Sequence, residues 1–251
     1  MTTPLVIKLS GKALVDENKL LDFFSSLHDT TTIFVHGGGI EVDNILKAMH
    51  FNIQKIDGLR VSTKDQMPFI TAALAGLCNK KLQAMLQKAH IKAQGLLCTD
   101  FDMTKLSLLD SKYGYVGTSE PFNKSFIEFL LDKNITPVIA SIGIDDNGNL
   151  INVNADDVAK SIATLLSCPL IFLSDVQGVL DENNTVIESI DTNSFAILKA
   201  NGTIKDGMAV KVQEALDASL KTNAPVFITS LDNPSLKDIK ALRRLGSKIQ
   251  G

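Results

Sequence analysis

Short apolar runs alternate along this chain with longer stretches whose apolar positions recur at helical spacing. Leu5–Leu9, Thr31–Val35, Ala93–Cys98, Ile135–Ala140, Leu170–Leu173 and Pro225–Thr229 predict buried strands. Asp16–Leu27, Val42–Met49, Lys64–Ala89, Lys124–Asp132, Asp156–Leu166 and Gly207–Thr222 predict helices between them. Strands that are apolar on both faces and alternate with helices imply an α/β fold, a three-layer αβα sandwich around a largely parallel central sheet. Three segments break the alternation and predict hairpins: Ile53–Val61 around Asp57-Gly58, Leu106–Val116 around Tyr113-Gly114, and Ile142–Val153 around Asp146-Asn147-Gly148. The first two are expected to form a lid over the first half. A soft boundary near Pro169 divides one domain, 1–251, into two closely joined lobes, 1–168 and 169–251.

Composition narrows the function classes. The chain has 251 residues, 45% of them hydrophobic, enough for a substantial core. A formal net charge of −3 without a basic block speaks against nucleic acid as a partner and for a small substrate. Cys78, Cys98 and Cys168 are isolated among apolar neighbours, so neither a disulfide framework nor a C-x-x-C site is expected. No basic-then-apolar leader opens the chain, and no apolar run reaches the ~18 residues of a membrane span. A cytoplasmic protein is the expectation.

Candidate chemistry gathers where strands end, which in such sheets is where ligands bind. Lys8 and Gly11 close the first strand, His36-Gly37-Gly38-Gly39 the second, and Ser174-Asp175 the fifth. Three glycines between a strand and a helix let backbone N–H groups approach a phosphate, and they equally suit a plain turn. Neither G-x-x-x-x-G-K-[ST] nor G-x-G-x-x-G occurs. Arg60 can hold a carboxylate through two parallel hydrogen bonds, or lie on a hairpin surface. Asn152 and Asn154 share one side of a strand end, and Asn154 can also cap the helix that follows. Asp156 suits a helix N-terminus for electrostatic reasons alone. His36 suits a packed, hydrogen-bonded place as well as a catalytic one, His28, His50 and His90 lack metal-ligand spacing, and no protein metal site is expected.

Taken in order, six blocks form one set: Val6-Ile7-Lys8-Leu9-Ser10-Gly11, Val35-His36-Gly37-Gly38-Gly39, Asp57-Gly58-Leu59-Arg60-Val61, Asn152-Val153-Asn154-Ala155-Asp156, Leu173-Ser174-Asp175-Val176-Gln177-Gly178-Val179 and Asp206-Gly207-Met208-Ala209-Val210-Lys211-Val212. Through them nearly the whole chain resembles the amino acid kinase family. The resemblance implies transfer of the γ-phosphoryl of ATP, with Mg2+, to the side-chain carboxylate of N-acetyl-L-glutamate, a step of arginine biosynthesis. Lys8 and Lys211 would stabilise the transferring phosphoryl, and Asp156 would hold both ammonium groups. Gly38 and Gly39 would offer N–H groups, while Arg60, Asn152 and Asn154 would bind the acceptor. Gly11, Ser174, Asp175, Lys205, Asp206, Gly207 and Met208 would border the nucleotide.

Two departures stand out. Ser10 occupies a position where the family usually has glycine, and Cys98-Thr99-Asp100-Phe101-Asp102 lacks the glycines often found there. The first strand starts almost at once, as in homodimeric, arginine-insensitive members, and the Lys64–Ala89 helix with its neighbouring strand is the expected dimer contact. The alternatives are a kinase for glutamate, aspartate, carbamate or a nucleoside monophosphate, and a catalytically silent nucleotide or amino-acid sensor.

Overall fold

A computed structural model describes residues 3–11, 13–28, 30–239 and 245–251, with the backbone alone at residues 206, 237 and 238. Its strands are, in chain order, β1 (Leu5–Leu9), β2 (Thr32–His36), β3 (Lys55–Ile56), β4 (Leu59–Arg60), β5 (Ala93–Leu97), β6 (Thr104–Leu108), β7 (Val116–Pro121), β8 (Thr136–Ala140), β9 (Ile142–Ile144), β10 (Leu150–Val153), β11 (Leu170–Ser174), β12 (Ser189–Ile190), β13 (Val226–Ser230) and β14 (Ser247–Ile249). The helices are α1 (Glu17–Ser25), α2 (Gly39–Ala48), α3 (Met67–Thr71), α4 (Asn79–Lys88), α5 (Ser125–Asp132), α6 (Ala155–Leu166), α7 (Thr192–Ala200) and α8 (Asp206–Thr222).

Among the described residues, eight strands form the central sheet in the order β12-β14-β13-β11-β1-β2-β8-β5. Every neighbouring pair in it is parallel except β13 with β14. Side chains alternate across the sheet and both faces are covered, which is why the strands read as continuous apolar runs. Leu5, Ile7 and Leu9 of β1 pack with Leu20, Phe23 and Phe24 of α1 and Leu82 and Leu86 of α4. Val6 faces the opposite core, with Ile127 of α5, Val158 and Ile162 of α6 and Val212 of α8. Lys8 therefore emerges on the face that α6 and α8 cover.

The structure corrects several expected boundaries. The Lys64–Ala89 helix begins at Met67, where Pro68 suits the first turn, and α3 passes into α4 through a π-helical stretch, Ala72–Cys78. Helix α2 starts at Gly39 rather than Val42, because the glycines conceal its first turn from apolar periodicity. The expected Leu106–Val116 hairpin is longer: Val116 opens β7, and β6 and β7 pair from Thr104↔Pro121 to Leu108↔Gly117. Parallel pairing of β7 with β10 then joins it to the β9–β10 hairpin in a four-stranded sheet, β6-β7-β10-β9. The Ile53–Val61 hairpin forms as β3–β4. Short β12, α7 and β14, between Ser189 and Ile249, were not expected; two of them have too few residues for a readable period.

Candidate functional site

Strands β11, β1 and β2 are adjacent and parallel, so Ser174, Lys8 and the His36–Gly39 turn leave the sheet together at its carboxyl edge. In register, Lys8 lies between Val35 and Phe172. Its Nζ meets Asp156 Oδ1 at 2.7 Å, and both side chains are largely shielded. Asp156 reaches this place because Asn154 caps α6: Asn154 Oδ1 accepts from the Asp156 N–H at 3.1 Å, which turns the chain from β10 into the helix. The capping role foreseen for Asn154 and a place in the site thus coexist.

Lys211 lies on α8 and reaches the end of β11, the strand next to β1. Its Nζ donates to Ser174 Oγ at 2.7 Å, and the Ser174 hydroxyl donates to Asp175 Oδ1 at 3.0 Å. The direct partner of Lys211 is therefore Ser174, whereas Asp156 directly contacts Lys8. Lys205 precedes α8 at its N-cap, and Gly207 and Met208 belong to its first turn, one turn before Lys211. The Asp206 side chain lies outside the described residues.

A cavity of about 240 Å³ opens at this edge and gathers Lys8, Gly11, Gly38, Gly39, Arg60, Asn152 and Asn154 from four separate segments. Ser174, Asp175, Lys205, Gly207 and Met208 are not in its wall; they lie by β11 and the start of α8. Arg60 is nearly enclosed: its Nη1 pairs with Asp43 of α2 and its Nη2 donates to the Gly39 carbonyl at 3.3 Å. The β3–β4 hairpin is thereby tied to the glycine turn. Tyr113 donates its hydroxyl to Asp57 Oδ2 at 2.9 Å, which links that hairpin to the β6–β7 connection. Asn152 Nδ2 donates to Ser62 Oγ at 3.1 Å.

The glycine turn is built for close approach, and its physics is mainly packing. Gly38 is extended, with φ −178°, so its backbone needs no special freedom. A Cβ there would lie 2.6 Å from Cys78 Sγ and 3.0 Å from Leu74 Cδ2, both in the π-helical stretch. At Gly39 a Cβ would meet nothing within 4 Å. With glycine as the N-cap, the first N–H groups of α2 face the cavity without a side-chain acceptor, the arrangement that favours an anion. Behind the turn, fully buried His36 has Nδ1 2.8 Å from the Gly37 carbonyl, while its Nε2 lies 3.0 Å from Asn79 Nδ2. The tautomer protonated at Nδ1 satisfies both contacts, and burial pulls the His36 pKa down to about 4. Ser10, at the usual glycine position, uses its hydroxyl locally: Oγ accepts from the Ala13 N–H at 3.2 Å and closes the turn after β1.

Sequence reading passed over Asp43, Ser62 and Glu214. Asp43 and Ser62 carry no motif and act through Arg60 and Asn152. Glu214 had a legible signal, its position three residues after Lys211 on one helix face. Its carboxyl pKa is raised, first by burial and then by the nearby negative charge of Asp156, with Lys160, Lys8 and Lys211 opposing. The edge as a whole presents an ammonium group, a guanidinium and a helix N-terminus around a space sized for a small molecule, with a second ammonium, that of Lys211, outside the cavity wall at Ser174. That array can hold and align anionic groups.

Comparison with known proteins agrees with this fold. The model of the Amino acid kinase family matches residues 3–230. Among solved structures, smu.665 from Streptococcus mutans UA159 is 29% identical, with all of this chain matched to 99% of that one and a TM-score of 0.80. N-acetylglutamate synthase from Neisseria gonorrhoeae, complexed with coenzyme A and N-acetyl-glutamate, is 18% identical with a TM-score of 0.82 over 99% of this chain and 59% of that one. Carbamate kinase from Giardia lamblia bound to AMP-PNP is 14% identical, with a TM-score of 0.70 over 99% and 98% of the two chains. The last two show a shared fold. By its fold and by a family match across most of its length, this chain belongs to the amino acid kinase family.

Proposed function

We propose that the protein is an acetylglutamate kinase, which transfers the γ-phosphoryl of ATP to the side-chain carboxylate of N-acetyl-L-glutamate. The observation that carries this reading is the convergence of Lys8, the Gly38-Gly39 turn, Arg60 and Asn152 on one small cavity. A carboxylate oxygen attacks the γ-phosphorus, the bond from that phosphorus to the β-γ bridging oxygen breaks, and an acyl phosphate and ADP form. No proton moves, because the acceptor is ionised at neutral pH. Repulsion between two anions is the obstacle, so catalysis consists of alignment and charge neutralisation.

Lys8 from β1 and Lys211 from α8 would neutralise the equatorial oxygens, with Asp156 orienting Lys8. The Gly38 and Gly39 N–H groups would donate to the phosphoryl and the acceptor. Arg60, Asn152 and Asn154 would hold the acceptor, Arg60 taking its α-carboxylate. Gly11, Ser174, Asp175 and the Lys205–Met208 segment would border the nucleotide. Residues 1–168 would thus supply the acceptor lobe and 169–251 the nucleotide lobe.

Magnesium fits this donor set as an ion that travels with ATP. The Asp156 carboxylate is committed to Lys8, so phosphate oxygens and water would provide the ligands. When bound, the ion would offset charge on the β- and γ-phosphates. A homodimer through the helix over 64–89 and the edge strand β5 belongs to the same reading. The test is an acceptor panel: ADP release should require N-acetyl-L-glutamate and should not occur with glutamate, aspartate or carbamate. Release with any of those instead would replace the proposed acceptor.

A further inference from the structure

On the other side of the Lys8–Asp156 pair lies a second cavity, of about 470 Å³, in the crevice between α6 and α8. Gly58, Leu59 and Asn154 belong to the walls of both cavities, so the two are contiguous at the pair. The new wall contains Asp156, Asp157 and Lys160 of α6, Phe172 of β11, and Val210 and Glu214 of α8. Phe172 is the register neighbour of Lys8, and Glu214 follows Lys211 by one helical turn. Within the described residues Lys160 is paired with Asp157 at 2.8 Å and Lys8 with Asp156, while no hydrogen bond or ion pair holds the Glu214 carboxylate.

We propose that Glu214 is a positioning residue of the phosphoryl-transfer cluster, a second carboxylate that faces Asp156 across the α6–α8 crevice, one helical turn after Lys211 and near Lys8, and whose charge state sets how tightly the cluster holds a polyphosphate. The charged groups that face it are Asp156, Asp157 and Lys160 from α6, Lys8 from β1, Asp57 from the β3–β4 turn and Lys211 on its own helix. Lys8, Lys160 and Lys211 stand against Asp57, Asp156, Asp157 and Glu214, so an ionised Glu214 leaves these seven groups with one net negative charge. A proton on Glu214 removes that excess and leaves the groups beside the phosphoryl position with no net charge, which repels a polyphosphate less. Burial and Asp156 already favour that proton, and an arriving polyphosphate favours it further, so nucleotide binding draws a proton onto this residue. Asp156 cannot take the same part, since its carboxylate is spent on Lys8.

This inference rests on the kinase reading, and the experiment separates the two. Magnesium and AMP-PNP are titrated into the wild-type protein, Glu214→Gln and Glu214→Asp by calorimetry between pH 5 and 8, in buffers of different ionisation enthalpy. The expected result at pH 7.5 is that Glu214→Gln binds about fivefold more tightly than wild type. That ratio should shrink towards one as the pH falls, because wild-type Glu214 becomes protonated. The wild type should take up more protons on binding than Glu214→Gln, and Glu214→Asp should restore the wild-type pH dependence. Equal affinity and equal proton uptake in wild type and Glu214→Gln at every pH would overturn the proposal alone. Failure of the wild type to bind AMP-PNP at all would overturn the kinase reading and this inference with it.

Discussion

Lys8 and Lys211 reach the same place by different means, and that difference bears on what their removal does. Lys8 is held by a shielded carboxylate, Lys211 by a serine hydroxyl that passes its own hydrogen to Asp175. Each would supply a donor to charge that spreads in the transition state, and loss of one such donor costs roughly 3 to 4 kcal/mol, or about 10²- to 10³-fold in turnover. Lys8→Ala and Lys211→Ala should each show that loss in steady-state kinetics. Near-normal turnover in Lys8→Ala would contradict the assigned role. Lys8→Ala also strands the Asp156 carboxylate in a shielded place, so Lys8→Met and Asp156→Asn together should recover stability but not activity.

His36 gives a pH prediction at the same scale. Its pKa is about 4 in the folded protein against 6.5 for an ordinary imidazole. The unfolded chain therefore binds more protons between those values, and stability from the neutral imidazole is complete above pH 6.5 and lost as the pH falls towards 4. Linkage puts the loss at roughly 3 kcal/mol. Urea denaturation of wild type and His36→Gln at pH 7.5, 5.5 and 4.5 should show a steeper acid loss in the wild type. Parallel losses in both proteins would assign the acid sensitivity elsewhere.

Among the elements, the π-helical stretch sets the shape of the site from behind. Ala72–Cys78 widens the helix opposite the glycine turn, and Leu74 and Cys78 fill the space a side chain at Gly38 would need. Gly38→Ala should destabilise by about 1 to 3 kcal/mol through overpacking and weaken acceptor binding. Adding Cys78→Ala removes the atom 2.6 Å away and should return most of the stability, a coupling that a double-mutant cycle measures. Additive losses would show that the Cys78 contact is not what excludes a side chain.

The same element shows where sequence reading stops. Apolar spacing placed a helix over 64–89, and most of it is there, but periodicity has no signature for a local i→i+5 register. Glycines at 37–39 announced a tight approach without saying that the crowding comes from Cys78, 40 residues away. Asp191 and Ser194 form a capping box ahead of α7, and their spacing was legible beforehand, yet the helix after them carries too weak an apolar face to stand out. Asp156 and Lys8 were legible from their places after β10 and in β1. Their 2.7 Å contact depends on α6 packing over β1, which only the folded chain decides.

At the scale of the whole molecule, the parallel order β11-β1-β2 is what makes a site possible. It carries residues from opposite ends of the chain to one edge, Lys8 from the first strand and Lys211 from a helix after residue 200. The edge gathers positive groups on a chain of net charge −3, so the attraction for anions is local to the site. The central claim is that this edge phosphorylates a carboxylate, and an acyl phosphate reports it directly. Purified protein is incubated with magnesium, ATP and N-acetyl-L-glutamate in the presence of hydroxylamine, alongside glutamate, aspartate and no-acceptor controls. The account predicts hydroxamate with N-acetyl-L-glutamate and none in the controls. Absence of hydroxamate with every acid, from protein that still binds ATP, would contradict carboxylate phosphorylation and leave a different acceptor or a silent nucleotide sensor.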